Sequence, residues 1–104
     1  MYARATTLYI KRDMHEAAIN LFKFDIIPTA KKQEGYQGTY LLTNSNAGKF
    51  RVITFWRDIS DAVANEKSGY YDEQIAKLDR YIIGPPEVEA YKVESLDVLT
   101  TKID

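Results

Sequence analysis

Arg4, Trp56, Asn65 and Tyr70 are the side chains of this sequence best suited to recognising or activating a small polar molecule. Arg4 stands in a strand-like segment; if it points inward, its guanidinium could grip a phenolate or carboxylate bidentately. It could equally stabilise an oxygen that turns anionic during a reaction. The other use for Arg4 is an ion pair with Glu89 or another strand acid. Trp56 ends the most apolar strand-like run, and its indole N–H needs a partner once buried, which a ligand oxygen could supply. Its other use is plain core packing against helices. Asn65, Tyr70 and Tyr71 flank a Ser68-Gly69 pair, where a helix should open and free backbone groups. Amide and phenol groups there could orient a ketone or a phenol, although Tyr71 also falls on an apolar stripe that reads as core. Glu66 would serve as a base only if burial raised its pKa; on an ordinary helix surface it is solvated. His15, the single histidine, lies at a helix start, where the positive dipole end disfavours the imidazolium. It reads as a surface residue. Eight tyrosines suit either an amphipathic pocket for a flat aromatic ligand or an interface between subunits. Trp56, Tyr71 and Tyr40 are the aromatics expected to touch a ligand.

Composition removes most other chemistry. A chain of 104 residues and 12.0 kDa is one domain with a thin core. Without cysteine there is no disulfide, thiolate nucleophile or Cys-ligated zinc, and one histidine excludes a His-rich metal site. No metal is therefore expected. Fourteen basic residues against fifteen acidic ones, with a pI near 5.8, give no electrostatic reason for a nucleic acid or an acidic membrane as partner. Neither a targeting segment nor an apolar run of about 20 residues is visible, so a cytoplasmic location is expected.

The elements that must hold these residues follow from period and punctuation. Tyr2 to Ile10 reads as a strand. Asp13 and Glu16 suggest a capping box, opening a helix over about 14–33 that Pro28 kinks near Phe24 and Gly35 stops. Gly35 to Leu42 and Lys49 to Trp56 read as a hairpin around the Asn44–Gly48 turn, with Gly38 marking a bulge. A second helix starts near Ser60 or Asp61 and is weakened at Ser68-Gly69. Beyond that point Tyr71, Ile75, Leu78 and Ile82 form its apolar stripe, and Glu73 and Lys77 sit at i,i+4 outside. Gly84-Pro85-Pro86 ends it, and Val88 to Val93 alternates as a last strand. The order βαββαβ predicts an α+β, ferredoxin-like sandwich with an antiparallel sheet and both helices on one face. Phe50, Val52 and Trp56 would face the helices, with Ile53 and Phe55 on the other side. An apolar second face needs a cover, and another copy of the sheet is the simplest one, so a homodimer through sheet faces is expected.

Several segments together resemble the antibiotic biosynthesis monooxygenase family of the dimeric α+β barrel superfamily. They are the Pro28-kinked helix, GYQGTYLL, Thr54-Phe55-Trp56, Ser68-Gly69-Tyr70-Tyr71, Ala76-Lys77-Leu78, and Pro85-Pro86 leading into Val88-Glu89-Ala90-Tyr91. The resemblance covers about residues 1–94, taken as the domain, and leaves 95–104 as a tail or a short extra strand. The family contains cofactor-independent oxygenases of polycyclic phenols, haem-degrading enzymes and many members without a known substrate, so the resemblance implies the fold more narrowly than the activity. Haem-degrading relatives use an Asn on the first strand, and a Trp and a haem-ligating His on the second helix. This sequence has Thr6 or Thr7, Asn65 and no His at those places. Many relatives carry two His on the second helix, where Asn65 and Tyr70 stand here, so the usual general base is missing. The expected function is a cofactor-independent monooxygenase of a small aromatic phenol or quinol, using neither haem nor flavin. Its alternative is a non-catalytic ligand-binding or stress-related homodimer.

Overall fold

A computed structural model describes residues 1–97. Four strands carry the fold: β1 (Tyr2–Tyr9), β2 (Tyr36–Asn44), β3 (Lys49–Trp56) and β4 (Glu87–Lys92). They pair antiparallel in the order β2-β3-β1-β4, the ferredoxin-like arrangement that the βαββαβ order predicts. Between β1 and β2 run α1 (His15–Leu21) and α2 (Ile27–Ala30), joined without a break by a π turn at Phe22–Ile26. Between β3 and β4 run α3 (Ile59–Lys67) and α4 (Tyr70–Ala76). Leu8, Ile10 and Phe50 of the sheet side meet Ala18, Phe22, Ile26 and Leu78 of the helical side in one core.

Pro28 explains the π turn. Its missing N–H leaves the Phe24 carbonyl without a helical donor, and its ring would collide with that carbonyl. Widening the turn absorbs both problems, and the Ile27 N–H bonds five residues back to the Phe22 carbonyl. The expected kink therefore takes the form of a wider turn inside a continuous helix. The expected capping box does not form. Arg12–Met14 make a 3₁₀ turn, α1 starts at His15, and neither start has a side-chain cap.

The hairpin has the expected chemistry. Asn44 Oδ1 accepts from the Ala47 N–H at 3.2 Å, and Gly48 takes φ 64°. The bulge falls between Tyr36 and Gly38, where two steps along β2 oppose one along β3. It decides which side chains share a face. Tyr36 lies opposite Trp56, whereas Gly38, Tyr40 and Leu42 lie opposite Phe55, Ile53 and Arg51 on the face away from the helices. Phe50, Val52 and Trp56 face the helices as expected.

The second helical region breaks at the Ser68-Gly69 pair, with Gly69 at φ 85°. Lys77 does not pair with Glu73. Its Nζ reaches Asp25 Oδ1 at 2.9 Å and Gln74 Oε1 at 3.0 Å, tying the end of α4 to the π turn. The opposite charge on the neighbouring helical segment, at the surface, takes the place of the one on the same helix. That contact chiefly holds the Asp25 carboxyl below its ordinary 3.8. Val93 N–H bonds to the Met1 carbonyl at 3.0 Å, and no strand follows among the described residues. The rest of the expected tail, 98–104, lies outside them.

Gly35 is the glycine this fold cannot exchange. It takes φ 80°, and a Cβ there would overlap the Asp61 carboxylate, which is itself paired with Arg57. Gly35→Ala should lose at least about 2 kcal/mol of unfolding free energy from the left-handed backbone and the overlap together. Adding Asp61→Ala should restore part of that loss in urea titrations.

Candidate functional site

The first and third strands supply the floor of the site. Alternation along β1 sends Arg4, Thr6 and Leu8 towards the helices, and along β3 it sends Val52, Thr54 and Trp56. Arg4 and Thr54 are direct cross-strand partners. The helical side closes over them with Phe22, Ile26 and Ala30 on one side. Asn65, Tyr70, Tyr71, Gln74, Ile75 and Leu78 close the other. The cavity between them measures about 70 Å³ and is partly open to solvent, and Arg4 is the one charged residue on its wall among the described residues.

Ser68 makes this wall possible. Its hydroxyl donates to the Asn65 carbonyl at 2.7 Å and accepts from the Tyr70 N–H at 3.3 Å. With Gly69 left-handed between them, the chain ends α3 just after Asn65 and restarts α4 at Tyr70. Both residues then reach the same cavity.

Arg4 is the structural centre of the site. Its Cζ lies 4.5 Å from the centroid of the Tyr71 ring and 5.5 Å from that of Trp56. Both rings therefore offer it cation–π attraction. Its Nη2 donates to the Ala62 carbonyl at 3.3 Å and pairs with Glu66 Oε1 at 3.2 Å. Glu66, one turn along α3, is thus the acid that Arg4 finds. Glu89 pairs instead with Arg51 at 3.9 Å. The Glu66 side chain is 46% exposed, so this ion pair reaches the solvent.

Hydrogen-bonding capacity is left over in one place. Among the described residues, six buried side-chain polar atoms have no partner: Arg4 Nε, Arg51 Nε, Trp56 Nε1, Asn65 Oδ1, Tyr70 Oη and Tyr71 Oη. All but the Arg51 atom belong to residues on this cavity wall. Buried polar groups are ordinarily paired, so a cluster of unpaired ones around a common space marks a binding site. Asn65 is fixed by its other end, with Nδ2 donating to Gln33 Oε1 at 3.2 Å. Burial pushes the Tyr71 phenol up, opposed by nearby Thr6 and Arg4, and it pushes Tyr70 up as well. Both therefore stay neutral near pH 7 and can donate a proton in a hydrogen bond, but neither is a base.

The structure brings Arg4, Trp56, Asn65, Tyr70 and Tyr71 to one cavity and leaves Tyr40 outside it. Tyr40 stacks edge-on against Phe55 with centroids 5.6 Å apart on the opposite sheet face. The reason is the Gly38 bulge, which reverses the alternation that would have put Tyr40 beside Tyr36. His15 is also remote, with Nε2 3.2 Å from the Ile10 carbonyl and its ring against Phe50. Sequence reading missed Thr6, Thr54 and Gln74. The two threonines were detectable as the i+2 neighbours of Arg4 and Trp56. Gln74 follows Tyr70 by one helical turn, and Lys77 Nζ donates to its amide oxygen at 3.0 Å.

Comparison with known families supplies the context. The model of the antibiotic biosynthesis monooxygenase family matches residues 1–77. The chain belongs to that family. The matched region contains every residue of the cavity wall except Leu78. Solved structures carry the same fold through β4. A candidate antibiotic biosynthesis monooxygenase of Nitrosomonas europaea aligns with TM-score 0.75 and 16% identity over 91% of this chain and 100% of that one. Another from Deinococcus radiodurans gives 0.74 and 15% over 95% and 99%. A conserved protein of Methanosarcina mazei Go1 gives 0.73 and 18% over 88% and 92%. At such identities the likeness is one of fold, and the family's chemistry has to be argued from the site. No curated protein matches the sequence.

If the unpaired atoms exist for a ligand, each burdens the empty protein. Tyr71→Phe and Tyr70→Phe should therefore leave thermal stability unchanged or raise it by about 1 kcal/mol, since each removes a buried hydroxyl that has no partner. A clear loss of stability in either variant would mean that the hydroxyl is satisfied in the resting protein.

Proposed function

We propose that this chain is a cofactor-independent monooxygenase of a small phenol or quinol. The observation that carries the reading is the convergence of unpaired Arg4, Trp56, Asn65, Tyr70 and Tyr71 atoms on one otherwise apolar cavity. Such a lining suits a flat ring with oxygen substituents: aliphatic walls hold the ring, and donors meet its oxygens. Arg4 Nε and Trp56 Nε1 are the free donors that would hydrogen-bond the ring oxygen, and Asn65 and Tyr70 orient the ring. An electron-rich phenol supplies all the electrons for the reaction itself. One atom of dioxygen becomes a ring carbonyl and the other leaves as water. The four electrons come from the substrate, and the two protons come from its O–H and the attacked C–H. The protein's share is exclusion of water, orientation and hydrogen bonding to the ring oxygen.

The site does not fit haem. Its wall offers no His or Cys, its two phenols are pushed away from the ionised form a ligand needs, and about 70 Å³ is far too little room. The same size bears on the substrate. An engineered cavity that takes up benzene measures about 150 Å³, so a single ring would require modest widening and a fused polycycle much more. No helix among the described residues is long and apolar enough to cross a membrane.

The working unit in this reading is a homodimer joined through the open sheet faces. Ala3, Ala5 and Thr7 lie at the centre of that face, already buried among larger neighbours. Tyr40, Leu42 and Tyr91 stand 41%, 50% and 49% exposed beside it. Small residues at the centre with apolar ones around them let a second sheet approach closely.

Oxygen uptake with single-ring quinols tests the activity. Wild-type protein should consume dioxygen without added metal or flavin, and Arg4→Ala with Trp56→Phe should lower kcat at least about a hundredfold. Ligand binding without uptake would instead assign the non-catalytic role. In sedimentation, the wild type should run as a dimer and a Tyr40→Glu, Leu42→Glu variant as a monomer. A monomeric wild type would dispose of the dimer.

A further inference from the structure

Glu66 changes what Arg4 can recognise. A buried arginine aimed into a cavity ordinarily selects carboxylates, because its planar fork matches two oxygens at once. Here the fork is partly taken. Nη2 already serves the Glu66 carboxylate at 3.2 Å and the Ala62 carbonyl at 3.3 Å, and Nε is buried without a partner. The two aromatic rings cover the guanidinium, so it cannot swing to present a fresh pair of donors.

The consequence is electrostatic. Nε and Nη2 are bonded to the same carbon, so an oxygen accepting from Nε comes to lie beside the Glu66 carboxylate. An anionic group there meets a like charge on the Glu66 carboxylate, and the guanidinium then has two anions to balance. A hydroxyl meets no such obstacle, because it accepts from Nε while its own proton points to an acceptor. The remaining free atoms agree with an uncharged ligand. Trp56 Nε1 is donor-only, Asn65 Oδ1 is acceptor-only, and the Tyr70 and Tyr71 hydroxyls can do either. A ligand that both donates and accepts uses this set better than a carboxylate, which only accepts.

We propose that Glu66 is a specificity-determining residue that neutralises Arg4, so that the cavity takes uncharged hydroxylated rings and rejects aromatic carboxylates. This rests on the reading of the cavity as an aromatic-ring site, but not on its being an oxygenase. Phenol and benzoate are matched probes: each has one ring and one oxygen substituent, and at pH 7 the first is neutral and the second ionised.

Calorimetric titration of both probes into wild type, Glu66→Gln and Arg4→Ala proteins tests the idea. The wild type should bind phenol at least about tenfold more tightly than benzoate, a difference of about 1.4 kcal/mol. Glu66→Gln should gain at least about tenfold for benzoate and change little for phenol, reversing or erasing the preference. Arg4→Ala should weaken both. A wild type that prefers benzoate overturns the proposal and leaves the oxygenase reading standing. An unchanged ratio in Glu66→Gln overturns it too. If neither probe binds the wild type, both readings fall. If the phenol preference holds and oxygen uptake is nil, only the oxygenase reading falls.

Discussion

A guanidinium held between two aromatic rings is the constraint on which this molecule is arranged. Arg4 sits in a central strand with a 6% exposed side chain, where an isolated charge would cost several kcal/mol. The chain offsets that cost from three directions. Trp56 comes from the end of the neighbouring strand and Tyr71 from the start of α4. The Ala62 carbonyl and Glu66 carboxylate come from α3. Placing all of these around one cation requires α3 to stop and α4 to restart in a new direction. Ser68 and Gly69 are where that happens.

The same region carries a conflict between stability and use. Aliphatic side chains from both layers would pack this space if stability alone mattered, and no polar atom would be left over. Instead the helices are held a little apart, with the Lys77 to Asp25 and Asn65 to Gln33 contacts crossing the gap. Their partners sit on the π turn and just beyond α2, so the irregular helix that Pro28 imposes also sets the far wall of the cavity. Unpaired hydrogen-bonding capacity persists in folded proteins mainly where something else is meant to meet it.

Two faces of one sheet thus do different work. The helix face holds the cavity and its cation, while the open face presents small central residues flanked by exposed aromatic and aliphatic ones. A single extra residue at the Gly38 bulge separates the two roles along β2. It leaves Tyr36 against Trp56 and sends Tyr40 to the other side.

By itself the sequence determined the βαββαβ order, the hairpin, the helix break at Ser68-Gly69 and the irregularity at Pro28. These depend on period, turn residues and the proline ring, all of which are local. It also pointed to Arg4, Trp56, Asn65, Tyr70 and Tyr71, because polar and aromatic side chains in otherwise apolar elements stand out before any folding. Tertiary structure decided what those residues meet. Arg4 pairs with Glu66 and not Glu89 because helix α3 crosses above β1, a relation that spans 62 positions of sequence. Lys77 pairs with Asp25 and not Glu73 for the same reason: packing of the two helical segments brings a charge 52 positions away within 2.9 Å, and an i,i+4 pair on one helix surface is weak. Tyr40 was misplaced because a bulge shifts phase by one residue, and only strand pairing reveals the step. Whether the leftover donors and acceptors share a cavity is likewise a question of distance in three dimensions, which residue type and spacing do not contain.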